Sequence, residues 1–229
     1  MSVEFVKYFE DLACALRQEH GYKLKANLEE AIDKFDSLAS PNAYYRAGLI
    51  YKTKGDLVSA KKQLEQAAEH GHFEAIFELG RIAYEREDYE MAIKYLVKGA
   101  HLGETKCVVY LGICFEAGFG VEQSDTTAVT FFQIAALCGD PSGMLYLAKC
   151  YKNGRGVEKN LVEAQQLLRC GCERGDARAC YELGHTLLDN SNDRRNAIKS
   201  FLRAAELGDE QAIEWREKNK SFIETVSKE

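Results

Sequence analysis

The feature that most constrains this chain is that it repeats itself. Asn42–Gly48, Glu74–Gly80, Lys106–Gly112, Ser142–Ala148 and Arg178–Gly184 align with one another, and each closes on a small residue. These anchors stand at positions 48, 80, 112, 148 and 184, in steps of 32, 32, 36 and 36 residues. A unit of that size cannot bury its apolar face alone, so it must stack on its neighbours in a linear array. The length of 229 residues would otherwise suggest one or two globular domains. Repetition replaces that expectation with a single array.

Within each unit the spacing predicts helix, turn, helix, turn. In the first helix, A, the small anchor permits close approach of a neighbour. Tyr51, Ala83, Phe115, Tyr151 or Leu187 follows three residues later on the same face. In the second helix, B, Ala60, Ala92, Ala128, Ala164 and Ala197 recur, with Leu64, Leu96, Phe132, Leu168 and Leu202 or its neighbour supplying bulk. Gly71, Gly103, Gly139, Gly175 and Gly208 close the units, as glycine does after a helix C-terminus. The two step lengths have a local cause. Units three and four carry Ala117-Gly118-Phe119-Gly120-Val121 and Asn153-Gly154-Arg155-Gly156-Val157 between A and B, where units one and two have shorter turns. The difference of four residues is about one helical turn, so the stacking faces keep their phase. Only two prolines, Pro41 and Pro141, interrupt the chain, which suits nearly continuous helix.

The pattern A-x-x-x-L-G-x-x-Y-x-x-G-x-G-V, followed by A and then A-A-x-x-G, resembles the Sel1-like repeat, a relative of the tetratricopeptide repeat. Units three and four carry it most fully. Units one and two lack the G-x-G-V loop and approach tetratricopeptide spacing. The resemblance covers roughly residues 42–209. It implies an all-α fold, a right-handed α/α superhelical solenoid of about 13 helices without β-sheet. Divided accordingly, residues 1–229 form one solenoid with repeats at 42–72, 73–104, 105–140, 141–176 and 177–209. Residues 1–41 read as a degenerate first repeat, with helices at 3–19 and 26–39 and Ala13, Ala31 and Phe35 in repeat phase. Residues 210–229 read as a polar capping helix anchored by Trp215.

Chemistry-bearing motifs are sparse. Gly118-Phe119-Gly120 and Gly154-Arg155-Gly156 follow a predicted helix rather than a strand, so they read as turns and not phosphate loops. His70-Gly71-His72 lies at a unit boundary with no nearby Cys or acidic cluster at ligand spacing, so it reads as a solvated turn. No nucleophile, base and orienting group assemble into a set. No cofactor or metal is therefore expected. Cys107, Cys114 and Cys150 occupy core positions of the repeat and read as small buried fillers. Cys172 and Cys180 face each other across a repeat boundary at C-x7-C spacing. In a reducing cytosol the pair is expected to stay as buried thiols, with a disulfide and a metal site with Cys170 as the alternatives. The cysteine-rich secreted branch of the Sel1-like family carries disulfides at this spacing.

Net charge is −6 and no run of Lys or Arg forms a stripe, which argues against nucleic acid. The N-terminus does not resemble a secretory signal, and no apolar run is long enough to span a membrane, so a cytoplasmic location is expected. In related superhelices the A helices line the concave side. Positions three before, one after and four after each anchor then form a strip. From it Tyr45, Phe77, Arg81, Tyr84, Ile113, Lys149, Lys152, Tyr181 and His185 are the expected partner-binding residues. The resemblance implies a non-enzymatic scaffold or adaptor that grips a protein or peptide partner. One alternative is an immunity protein neutralising a bacterial secreted toxin, since an acidic array suits a basic effector. Another is a cell-wall-ligand-binding or hydrolysing enzyme, as linked to the cysteine-rich branch, although no Ser-x-x-Lys or other nucleophile motif is present.

Overall fold

The computed structural model of the protein describes residues 40–191, 193–220 and 223. Among them are eleven α-helices and no strand. They are α1 (Pro41–Thr53), α2 (Leu57–Glu69), α3 (Phe73–Glu85), α4 (Tyr89–His101), α5 (Thr105–Ala117) and α6 (Asp125–Leu137). They continue as α7 (Pro141–Asn153), α8 (Leu161–Glu173), α9 (Ala177–Ser191), α10 (Arg194–Glu206) and α11 (Glu210–Lys218). The degenerate repeat expected over residues 3–39 lies outside the described residues, as does Cys14.

Most of the helices begin where a short polar side chain can take up free N–H groups of the first turn; α3, which starts after His72, has no such cap. Asp56 accepts from Ser59 N at 3.0 Å, Asp88 from Met91 N at 3.2 Å, Ser124 from Thr127 N at 3.2 Å and Asp140 from Gly143 N at 2.9 Å. Each such cap contributes about 1 kcal/mol.

The chain divides into two compact units, Met1–Glu87 and Asp88–Glu229. In the first, α2 packs against both α1 and α3. In the second, every helix from α4 to α11 packs against the next, and α7 also touches α9. The packing rule is the one read from the repeat. Ala60, Ala92, Ala128, Ala164 and Ala197 are fully buried, and within each unit the bulky residue four positions on fills the space over a glycine anchor. A Cβ on Gly48 would meet Leu64 Cγ at 2.6 Å, and one on Gly112 would meet the Phe132 ring at 2.4 Å. In the fifth repeat this bulky residue is Phe201, not Leu202. It stands one helical turn after Ala197, as Phe132 does after Ala128, and a Cβ on Gly184 would meet its ring at 2.7 Å.

The Gly-x-Gly-Val loops explain their second glycine. Gly118 and Gly154 end α5 and α7 in the left-handed region. Gly120 and Gly156, at φ 69° and 66°, then press on the start of the preceding repeat's B helix. A Cβ would lie 2.9 Å from Tyr89 O at the first site and 2.3 Å from Asp125 O at the second. The residue between the glycines completes the contact. Phe119 stacks on Tyr89 at 4.6 Å, and Arg155 reaches Asp125 and Glu116, both at 3.0 Å. These loops are joints between repeats.

At the C-terminal end Ala212 is buried and Trp215 stacks on Phe201 with ring centroids 4.0 Å apart. Glu214, Glu217, Lys218 and Lys220 face solvent. This apolar inner face and charged outer face are what a terminal helix needs to close a stack.

Candidate functional site

The three rows expected on the A helices separate in the structure. The row three before the anchor does not line a surface throughout. Phe77 is 8% exposed, Val109 3% and Leu145 1%, while Tyr45 and Tyr181 are half-buried. Phe77 is therefore core, contrary to the sequence expectation. The rows one and four after the anchor behave differently. Leu49, Arg81, Ile113, Lys149 and His185, and Lys52, Tyr84, Glu116, Lys152 and Leu188, are without exception half-buried. Their stems pack and their tips meet solvent.

Two acids organise the charges on this face, and sequence reasoning missed both. In the first unit Glu78 Oε2 accepts from Lys52 Nζ at 2.8 Å and from Arg81 Nη2 at 2.8 Å. Arg81 also pairs with Glu85. In the second unit Glu182 pairs with Lys149 at 3.2 Å and Lys152 at 3.8 Å. Glu78 and Glu182 both stand two before an anchor, and each meets a Lys four after the preceding anchor. That shared register was the available signal. Partly exposed pairs of this kind contribute about 0–1 kcal/mol each, so their effect is on position more than on stability.

Tyr181 and His185 form one aromatic group with the core. Tyr181 meets His185 at 4.7 Å, and His185 meets Phe201 at 4.9 Å. Burial first, then the nearby charges of Asp209, Glu182 and Glu214, push the Tyr181 phenol above its ordinary value. Ile113 packs onto the cluster around Phe132. In the first unit Tyr45 stacks on His72 at 4.2 Å. His72 is thus not a solvated turn residue. Its Nε2 lies 3.0 Å from Asn42 Oδ1, and burial holds its ring below the usual imidazole range. Its neighbour His70 is exposed.

The cysteines divide into three kinds. Cys107, Cys114 and Cys150 are buried, and desolvation pushes their thiols up to about 12, about 11 and about 11. Such thiols stay protonated and unreactive near neutral pH. Cys172 of α8 and Cys180 of α9 are not the buried thiols expected of the pair but are joined by a disulfide, with Cα atoms 4.5 Å apart. Cys138 and Cys170 are exposed free thiols. Among the described residues no three His, Cys, Asp or Glu side chains are arranged to hold a metal ion.

Residues 74–104, 106–140 and 141–176 match the Sel1 repeat, and 41–69 and 177–207 match the tetratricopeptide repeat. The chain is a Sel1-like repeat protein. Repeat 73–104 reads as Sel1 although it lacks the Gly-x-Gly-Val loop, and the last repeat, also without that loop, reads as tetratricopeptide. DAP3-binding cell death enhancer 1 of Mus musculus is 38% identical over 79 residues, 33% of this chain and 15% of that protein. The chain thus spans about 15% of the length of the curated relatives it matches. A Sel1 repeat protein from Oxalobacter formigenes superposes with a TM-score of 0.70 at 20% identity, over 79% of this chain and 76% of that one. The immunity protein PA5088 from Pseudomonas aeruginosa gives 0.60 at 20% identity, over 76% and 67%. At such identity the likeness is one of fold. Sel1-like and tetratricopeptide arrays typically serve protein–protein interaction. Among the described residues no helix is long and apolar enough to cross a membrane.

Proposed function

We propose that this Sel1-like protein is a non-enzymatic interaction module that binds a partner protein through the exposed face of its A helices. The observation that carries this reading is the uniform half-burial of the rows one and four after each anchor. Side chains with fixed stems and wet tips lose little freedom when a partner covers them. In the second unit the face comprises Ile113, Lys149, Lys152, Tyr181 and His185, with Glu182 holding the lysines in place. In the first it comprises Tyr45, Arg81 and Tyr84, with Glu78. Tyrosine and arginine are frequent anchors in interfaces, and they are combined here with both signs of charge.

A finer reading makes the partner a basic secreted toxin and the chain its immunity protein. The net charge of −6 favours it, because an acidic array attracts a basic effector from a distance.

The test is affinity capture with the full chain from extracts of its native cells, followed by binding measurements with the purified partner. Lys149→Glu with Lys152→Glu in one variant, and Tyr84→Ala in another, should each weaken binding by about tenfold or more. Helical melting should stay within a few degrees of the parent. Undiminished binding by both variants would remove the A-helix face from consideration.

A further inference from the structure

The repeats can be compared at one pair of positions, three after the A-helix anchor and three after the B-helix alanine. In repeat 105–140 the pair is Phe115 and Phe131, whose rings stack at 5.4 Å. In repeat 141–176 it is Tyr151 and Leu167, which both pack against the cores on either side. In repeat 177–209 it is Leu187 and Ser200. Two reductions in size at matching places remove an aromatic ring's worth of filling. An open recess of 230 Å³ lies there between α8, α9 and α10. Buried Leu183 and Leu187 line it on one side, together with Ser200.

Its rim is unlike that of the preceding repeat. Arg169, Lys199 and Arg203 border the cavity. The matching positions one repeat earlier are Gln133, Gln166 and Cys170, none of them cationic. Neither Arg169 nor Lys199 is engaged in an ion pair among the described residues, and Arg203 pairs only with solvent-exposed Glu206, at 3.2 Å. The carboxyl of Asp193, at the start of α10, is held below its ordinary value mainly by Asn196. The positive charges of Arg169 and Lys199 act in the same direction. On the α8 wall, Cys172 is tied to α9 through Cys180.

A small open recess with leucine at its base, edged by three cations, has a defined complement. We infer that this cavity binds an aromatic ring carrying a phosphate group, the ring over Leu183 and Leu187 and the dianion among Arg169, Lys199 and Arg203. Three cations suit a dianion better than a carboxylate, and guanidinium groups match phosphate oxygens in pairs. The chemistry is shared by free aryl phosphates and by a phosphotyrosine side chain. The site lies on the B-helix side of the last repeat and does not depend on the A-helix face.

Calorimetric titration of the full chain with phenyl phosphate tests the inference. Phenyl phosphate should bind about tenfold or more tightly than inorganic phosphate, which has the charge without the ring. Benzyl alcohol, with the ring and no charge, should bind more weakly than phenyl phosphate by a similar factor. Ser200→Leu, which installs the Leu167 side chain of the preceding repeat, should abolish binding while the protein still melts cooperatively. Lys199→Glu, at an exposed position, should do the same without touching the packing. Equal affinity for phenyl and inorganic phosphate, no saturable binding of phenyl phosphate, or binding indifferent to both variants would overturn the proposal. A phosphotyrosine peptide binding more tightly than phenyl phosphate would support it with a polypeptide source. Equal affinity for the two would support it with a small-molecule source.

Discussion

The third and fifth repeats fill the same space in opposite ways. In the third, Phe115 and Phe131 stack, Phe132 sits against Gly112, and the loop at Gly120 presses on the preceding B helix. In the fifth, Leu187 and Ser200 leave a cavity, no Gly-x-Gly-Val loop is present, and a disulfide joins the repeat to its predecessor. The difference teaches that the repeat scaffold needs only its anchor and B-helix contacts, here Gly184 under Phe201. The remaining contacts can be spent on packing or released to form a site.

The sharpest way to break the comparison is Gly112→Leu. A side chain there meets the Phe132 ring from 2.4 Å, and the closed third repeat has no space to give. The expected loss is about 3 kcal/mol or more, read by chemical denaturation. Retention of parental stability would mean that the third repeat is not filled as described. Next in size is reduction of Cys172–Cys180. Closing so short a loop stabilises by about 2–3 kcal/mol in the chain-entropy account. Reductant should therefore lower the melting temperature by several degrees, and a Cys172→Ser, Cys180→Ser variant should be insensitive to it. Gly120→Ala should cost about 1–3 kcal/mol, because it combines a positive φ with a contact on the Tyr89 carbonyl. The smallest expected effect has the opposite sign. Ser200→Leu should stabilise the fifth repeat by about 0.5–1.5 kcal/mol by filling its cavity. A loss instead would show that the space is too small for a side chain and that the two repeats are equally closed.

Much of the fold was legible in the sequence because its main contacts are periodic. The anchors, the B-helix alanines and, in every repeat but the fifth, the bulky residue one turn later follow from spacing alone; in the fifth it is Phe201, the neighbour of the expected Leu202. Trp215 as the packing point of the last helix was equally readable, since it interrupts an otherwise charged segment. The surface was less legible. Phe77 and Arg81 are four residues apart on one helix, yet one is core and the other half-exposed, and the boundary between them depends on where helix B lies. Glu78 and Glu182 were overlooked because an ion pair between repeats requires knowing which side chains face each other across the stack. His72 read as a polar turn residue until Tyr45 was placed against it.

By itself the sequence determined the all-helical repeat, its units and the small residues that let helices meet, because these are local and recur at a fixed interval. Only the tertiary structure decided which half of a face is buried, which acid joins which lysines, and that Leu187 and Ser200 leave one space between them. Those outcomes depend on distances between side chains far apart in the chain, and a periodic pattern does not carry such distances.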